Sequence, residues 1–274
     1  MNSPEHSPLG KETPYADRYD PALLFPIPRD SNRAELGLAE PLPFHGVDIW
    51  NAYELSWLDP RGKPVVALAE FRVPATSPQL IESKSFKLYL NGFAGERIAD
   101  AATLTRTLVR DLSSAAGAVV GVQLGDARAA VYPVNDMDGH LLDDQAIDID
   151  DYGPPNADFL HADRSATPVA EALVSHLLRS NCPVTGQPDW GSVQIAYRGA
   201  PIDHAGLLRY LVSFRNHNEF HEHCVERIFV DLSRRCEPQQ LSVYARYTRR
   251  GGLDINPFRS NTPVTPPNLR TVRQ

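Results

Sequence analysis

The sequence predicts an α+β fold of two tandem ββααββ modules, each an antiparallel sheet with its helices on one face. Three observations predict it. The order strand, strand, helix, helix, strand, strand is legible between residues 46 and 135 and again between 164 and 262, as a duplication would leave it. The strand segments alternate apolar and polar residues or are rich in branched and aromatic ones. The helical segments instead carry apolar residues at i, i+3, i+4 and i+7. Four antiparallel strands under two helices bury one face of the sheet. They leave strand edges that call for partners, so edge-to-edge association is expected.

Residues 1–45 are rich in proline and turn residues and read as an arm over the surface. In the first module, 46–135, Val47 to Leu58 and Val65 to Val73 form the first hairpin, turned by Asp59-Pro60-Arg61-Gly62. Ala67, Ala69, Phe71 and Val73 share a face. Phe86, Tyr89, Leu90 and Phe93 mark a first helix whose opening turn carries Glu82, Ser83 and Lys84. A second helix runs from about Asp100, with Ala101, Leu104, Leu108 and Leu112 inward. Val119 to Leu124 and Arg128 to Val134 read as the closing strands. Residues 136–163 are acidic, contain Pro154-Pro155 and lack periodicity, which marks a linker.

The second module, 164–262, opens on residues 168–181, whose pattern fits helix or strand; their place in the repeat favours strand. Ser192 to Arg198 alternates, with Val193, Ile195 and Tyr197 on one face. Leu207, Leu208, Leu211 and Phe214 mark one helix, and His221 to Cys236 a second, with Val225, Ile228, Phe229 and Leu232 inward. Leu241, Val243, Ala245 and Tyr247 alternate as a strand. Gly251-Gly252 turns into a last strand around Leu253–Phe258, and 263–274 form a tail.

Composition narrows the function classes. A hydrophobic content of 42% with 22% charged residues is that of a soluble globular protein. No apolar run approaches the roughly 20 residues of a membrane span, so no membrane partner is expected. The polar, proline-bearing N-terminus lacks the apolar stretch of a signal peptide, and a cytoplasmic location is expected. Three cysteines, Cys182, Cys224 and Cys236, are an odd count and fit free thiols in a reducing compartment. A net charge of −7 argues against a nucleic-acid partner, which calls for a basic surface.

Four clusters can carry chemistry. Ser180-Asn-Cys-Pro-Val-Thr-Gly-Gln-Pro-Asp-Trp190 holds Cys182 and Asp189 in a stretch stiffened by Pro183, Gly186 and Pro188. It reads as a rigid loop with a nucleophile and a proton donor, or as a buried structural cysteine near a surface acid. Glu82-Ser83-Lys84 is a reactive helix start or a solvated one. Phe220-His221-Glu222-His223-Cys224 reads the same two ways. Arg249-Arg250-Gly251-Gly252 can hold phosphate with guanidinium groups and backbone amides, or is a turn with solvated arginines. Cys182, His217, His221, His223 and Cys224 are also potential zinc ligands. No CxxC pairing joins them, and on one helix His221 and His223 point about 200° apart. No GxGxxG follows a strand, so a Rossmann nucleotide domain is unsupported.

Together these stretches are specific. ESKSFKLYLNGF at 82–93, SNCPVTGQPDWGS at 180–192, SFRNHNEFHEHCVERIF at 213–229 and YARYTRRGGLDINPFRSN at 244–261 resemble the long, two-module form of the NADPH-dependent 7-cyano-7-deazaguanine reductases, the nitrile reductases of queuosine biosynthesis. The resemblance covers most of the chain apart from the arm and the tail. It implies the tunnelling fold, whose unit is the ββααββ module, and a homodimer. The first half keeps ESKS without a cysteine loop. The second keeps Cys182 and FHEHC, with His204-Ala-Gly-Leu where ESKS would stand. The halves are thus complementary, and one active site is expected to draw on both, within or between chains.

The resemblance further implies residue roles. Cys182 would add to the nitrile carbon as a thioimidate and Asp189 would donate the proton. Ile81, Glu82, Ser83, His221 and Glu222 would bind the fused base. Ser83, Lys84, Arg250 and Gly251 would bind NADPH, and no metal is required. The rival readings are a pterin- or purine-handling enzyme of the same fold, such as a zinc-dependent GTP cyclohydrolase, and a non-catalytic purine-binding module.

Overall fold

A computed structural model of the chain describes residues 18–126 and 134–274. Ahead of the first expected strand the chain already forms a 3-10 turn at Pro21–Leu23, strand β1 (Pro26–Pro28) and helix α1 (Asp30–Glu35). There follow β2 (His45–Leu58), β3 (Pro64–Pro74), β4 (Gln79–Ile81), α2 (Ser83–Asn91), α3 (Ala101–Ala116) and β5 (Gly121–Asp126). The later elements are β6 (His140–Leu141), β7 (Val169–Ser175), β8 (Arg179–Asn181), β9 (Pro188–Gly199), α4 (His204–Ser213), α5 (His221–Cys236), β10 (Gln240–Tyr247) and β11 (Leu253–Ser260). The mixed α+β composition and the ββαα order of both halves are as predicted. The strand expected at Arg128–Val134 falls almost wholly outside the described residues.

The chain divides into two compact units, one holding residues 1–34, 47–132 and 249–255, the other 35–46, 133–248 and 256–274. In the first unit β3 lies between β2 and β5, antiparallel to both. Ala67, Ala69, Phe71 and Val73 alternate inward as expected and are buried. They meet the α2 and α3 stripes in one core with Phe86, Tyr89, Leu104, Leu108 and Leu112. The β2–β3 register shifts between Ala52 and Leu55. This bulge frees Tyr53 N–H to donate to Gly252 O at 3.0 Å.

In the second unit β9 runs antiparallel to β7 and β10, and β10 pairs with β11 at Ser242–Tyr244. The ambiguous segment 168–181 is β7 and β8. Its buried residues Leu173 and Val174 are adjacent on β7 and so face opposite sides of the strand, as in a strand covered on both faces. Two residues of β6 add a parallel pair at the edge of the expected antiparallel sheet. Val193, Ile195, Val243 and Ala245 are buried, as are the α4 and α5 residues Leu207, Leu211, Val225, Ile228 and Leu232.

The internal repeat extends beyond the ββααββ pattern. In the first unit Asp20 caps the 3-10 turn Pro21–Leu23, and Phe25 O accepts the Glu82 N–H at 2.9 Å. In the second, Asn156 caps the 3-10 turn Ala157–Phe159, and His161 O accepts the Asp203 N–H at 2.9 Å. Glu82 then caps α2 through the amides of Lys84 and Ser85, as Asp203 caps α4 through those of Ala205 and Gly206. Each helix start is thus held by an irregular strap, drawn from the expected arm in one unit and from the expected acidic linker in the other. The expected tail also carries structure: Gln274 is buried, and its amide binds Arg246, Asn256 and the Tyr247 carbonyl.

Candidate active site

Cys182 sits in the turn of a hairpin. β8 and β9 pair Ser180 with Asp189 and Asn181 with Pro188. Cys182 N–H donates to Gln187 O at 2.9 Å, and Gly186 N–H donates to Cys182 O at 2.9 Å. Gly186 has φ +67°, a conformation that glycine adopts without strain. Strand alternation puts Ser180, Cys182 and Asp189 on one face, with thiol and carboxyl diagonal neighbours. Cys182 is 4% exposed and Asp189 6%. The rigid loop expected from Ser180 to Trp190 is shorter than read from sequence. Pro188 and Asp189 belong to β9, because a proline is tolerated at the first position of a strand.

α5 opens on His221 with no side-chain cap, and its first turn carries Glu222, which is buried. His221 Nε2 lies 3.3 Å from Asp189 Oδ2, an ion-pair distance outside hydrogen-bond geometry. The imidazole stacks on Tyr247 with centroids 3.9 Å apart and planes 13° apart. Burial and the nearby charge of Glu219 push the Cys224 thiol well above its ordinary value. Cys224 therefore stays a protonated, structural thiol. Burial raises Cys236 as well, to about 11. The second unit holds Cys182, Asp189, His221 and Glu222, all buried or half-buried, and brings Asp189 and His221 into contact.

The first unit holds the other expected residues. Glu82 is not in the first turn of α2 but is its N-cap, because its carboxylate takes the orphan amides there. Oε1 accepts from Lys84 N at 2.7 Å and Ser83 Oγ at 3.3 Å, and Oε2 accepts from Ser85 N at 2.8 Å. Burial raises the pKa of Glu82, and the amide donors offset this only in part. Ile81 is buried at the end of β4, and Ser83 and Lys84 begin the helix half-buried.

Arg250 and Gly251 lie in a tight turn closed by Arg250 N–H to Leu253 O at 2.9 Å. Gly251 and Gly252 have φ +59° and +79°. A Cβ on Gly251 would stand 2.7 Å from Lys87 Nζ, and one on Gly252 would stand 2.4 Å from the Glu54 carboxyl carbon. Arg249 stacks over Tyr53 at 4.6 Å. Lys87, three residues after Lys84 and on the same helix face, thus brings α2 to the glycine turn. The turn is thus lined by the cation of Lys87 and by the Glu54 carboxylate, and it carries Arg249 and Arg250 itself. Lys87 escaped the sequence reading. Its spacing from Lys84 was visible, but its approach to Gly251 depends on tertiary folding.

Other sequence candidates have separate roles in the fold. His217 Nε2 contacts Glu219 Oε2 at 3.1 Å. Cys224 and His223 are buried in the second unit. Among the described residues no helix is long and apolar enough to cross a membrane.

Residues 15–124 match the family described as "Nitrile reductase, 7-cyano-7-deazaguanine-reductase N-term", and residues 188–265 match that of "QueF-like protein". A protein of Cupriavidus necator named NADPH-dependent 7-cyano-7-deazaguanine reductase is 60% identical over 278 residues, covering 100% of both chains. One of the same name from Burkholderia thailandensis is 59% identical, covering 99% of this chain and 100% of its own. The hairpin bearing Cys182 and Asp189 and the cap formed by Glu82 lie within or beside these matched regions, and the chain belongs to the NADPH-dependent 7-cyano-7-deazaguanine reductase family, a family of oxidoreductases, in its two-module form.

Proposed function

We propose that this chain reduces the nitrile of 7-cyano-7-deazaguanine to the aminomethyl group through a covalent thioimidate on Cys182. The observation that carries the reading is the hairpin face that joins Cys182 to Asp189, with Asp189 in turn 3.3 Å from His221. A nitrile carbon is a weak electrophile. The Cys182 sulfur adds to it while Asp189 delivers a proton to the nitrogen, so no free imide anion forms. Asp189 regains a proton as the thiol loses its own, and the addition is neutral overall. His221 holds the Asp189 carboxyl in place and backs the substrate with its ring.

Reducing the carbon twice requires two equivalents of NADPH, each supplying one hydride when bound. After the first reduction the carbon carries hydrogen, an amino group and sulfur. The Cys182 thiolate then leaves, giving an imine, and the second reduction gives the amine. Lys84, Lys87, Arg250 and the Gly251 amide bind the cofactor's phosphates, with Ser83 beside them. Glu82 and Glu222 accept hydrogen bonds from the N–H groups of the base, a task for carboxylates with spare lone pairs. Ile81 and Ser83 add contacts beside Glu82.

The substrate is the free base, so the reaction precedes tRNA in queuosine biosynthesis and needs no basic RNA surface; the net charge of −7 agrees. We propose a cytoplasmic homodimer as the working form. The test is spectrophotometric: NADPH loss on adding 7-cyano-7-deazaguanine, with two equivalents consumed per nitrile. No NADPH loss with the nitrile would overturn the reading.

A further inference from the structure

Glu219 lies two residues ahead of His221 and is 4% exposed. Its carboxylate accepts from Arg227 Nη2 at 2.8 Å, Arg227 Nε at 3.1 Å and His217 Nε2 at 3.1 Å. Burial opposes its charge, but His217 and Arg227 outweigh burial and hold the carboxyl down at about 2. The same residue is tied to the cysteine hairpin through its backbone. Glu219 N–H donates to Asn181 O at 3.1 Å, and Asn181 N–H donates to His217 O at 2.8 Å. Asn181 immediately precedes Cys182.

Glu219 therefore joins three things, the first by its carboxylate and the second by its backbone. Arg227 belongs to α5, so the forked pair anchors the 217–219 turn to that helix. The turn is stitched to the last residue before Cys182. The helix start two residues later carries His221 and Glu222. A buried ion pair is a weak net stabiliser compared with apolar residues of equal volume. What the fork supplies is a single geometry, since two parallel N–H donors allow one orientation of the carboxylate.

We infer that Glu219 is a positioning residue for the reaction: through Arg227 and Asn181 it sets the thiol of Cys182 in register with Asp189 and His221. This rests on the reading of Cys182 as the nucleophile. Glu219 itself touches no reacting atom.

The test uses the full chain, with 7-cyano-7-deazaguanine added and NADPH omitted, and follows adduct formation on Cys182 by stopped-flow absorbance and intact mass. At saturating nitrile, well below the melting temperature, Glu219→Gln should slow adduct formation on the order of 100-fold, the scale of a small misplacement of reacting groups. Arg227→Lys, which keeps the charge and loses the fork, should slow it in the same direction and stands in if Glu219→Gln fails to fold. Nitrile affinity in the Cys182→Ala background should change less than the rate does. A lowered melting temperature with an unchanged adduct rate, in whichever variant folds, would overturn the inference and leave Glu219 a stabilising residue only. Absence of adduct in the unsubstituted protein would instead overturn the proposed function, and the inference with it.

Discussion

Asp189 and His221 meet at 3.3 Å between Oδ2 and Nε2, one on a hairpin strand and the other at a helix start. Tyr247 stacks against the imidazole and fixes its plane. The carboxyl is thereby held on the hairpin face it shares with Cys182. That is what a proton donor to a nitrile nitrogen requires, because proton transfer tolerates little displacement.

Asp189→Asn preserves shape and removes the acidic proton of the carboxyl group. Adduct formation should slow by about 100-fold or more, within the usual range for losing a general acid, while nitrile affinity falls modestly. Stopped-flow absorbance with nitrile alone measures the first, and equilibrium titration in the Cys182→Ala background measures the second. Lost affinity with fast adduct formation would reassign Asp189 to recognition.

Glu82→Ala removes the cap of α2 and, with it, the acceptor proposed for the base. Nitrile binding should weaken by about 1–3 kcal/mol, the cost of leaving a buried donor unpaired. Isothermal titration without NADPH reads it, and a melting curve reads the cap. Unchanged nitrile binding would reduce the first unit to a scaffold for the chemistry of the second.

Lys84→Ala, Lys87→Ala and Arg250→Ala should each raise the KM for NADPH by roughly 10-fold, as expected for losing a charge-assisted hydrogen bond to phosphate. Thioimidate formation should be untouched, because it precedes hydride transfer. Steady-state kinetics beside a cofactor-free adduct assay separates the two steps. A slowed adduct in any of the three would place that residue at the nitrile instead.

Glu219 gives a pH signature in stability. Its carboxyl is held at about 2 in the folded chain against an ordinary 4.5. Its contribution is therefore complete above pH 4.5 and is lost as pH falls toward 2, on the order of 3 kcal/mol. Glu82, whose value burial raises, acts in the opposite sense: its stabilisation is present at low pH and lost as pH rises through its folded value. The melting temperature should thus fall less steeply between pH 4.5 and 2 in Glu219→Gln than in the unsubstituted chain. Parallel slopes would contradict the assignment.

Much of this was legible in the sequence because it is periodic. The faces of β3, β9 and β10 and the stripes of α3 and α5 follow from alternation and helical spacing alone. What escaped was held by single hydrogen bonds in irregular backbone. Nothing in the composition around Phe25 or His161 shows that their carbonyls take the N–H groups of Glu82 and Asp203. The motif stretches located Cys182, Asp189, Glu82 and Arg250 by resemblance. Lys87 beside Gly251 and Glu219 against His217 and Arg227 required the tertiary fold, since a side chain's identity does not show what it meets.

The most direct test of the central claim is intact mass spectrometry of the chain mixed with 7-cyano-7-deazaguanine in the absence of NADPH. Addition of a thiol across a nitrile expels nothing, so the account predicts a gain equal to the whole nitrile, localised to Cys182, absent in Cys182→Ala and discharged as amine when NADPH is added. Cys224→Ala and Cys236→Ala should still form the adduct. Turnover at full rate in Cys182→Ala, or an adduct on another residue, would contradict the account.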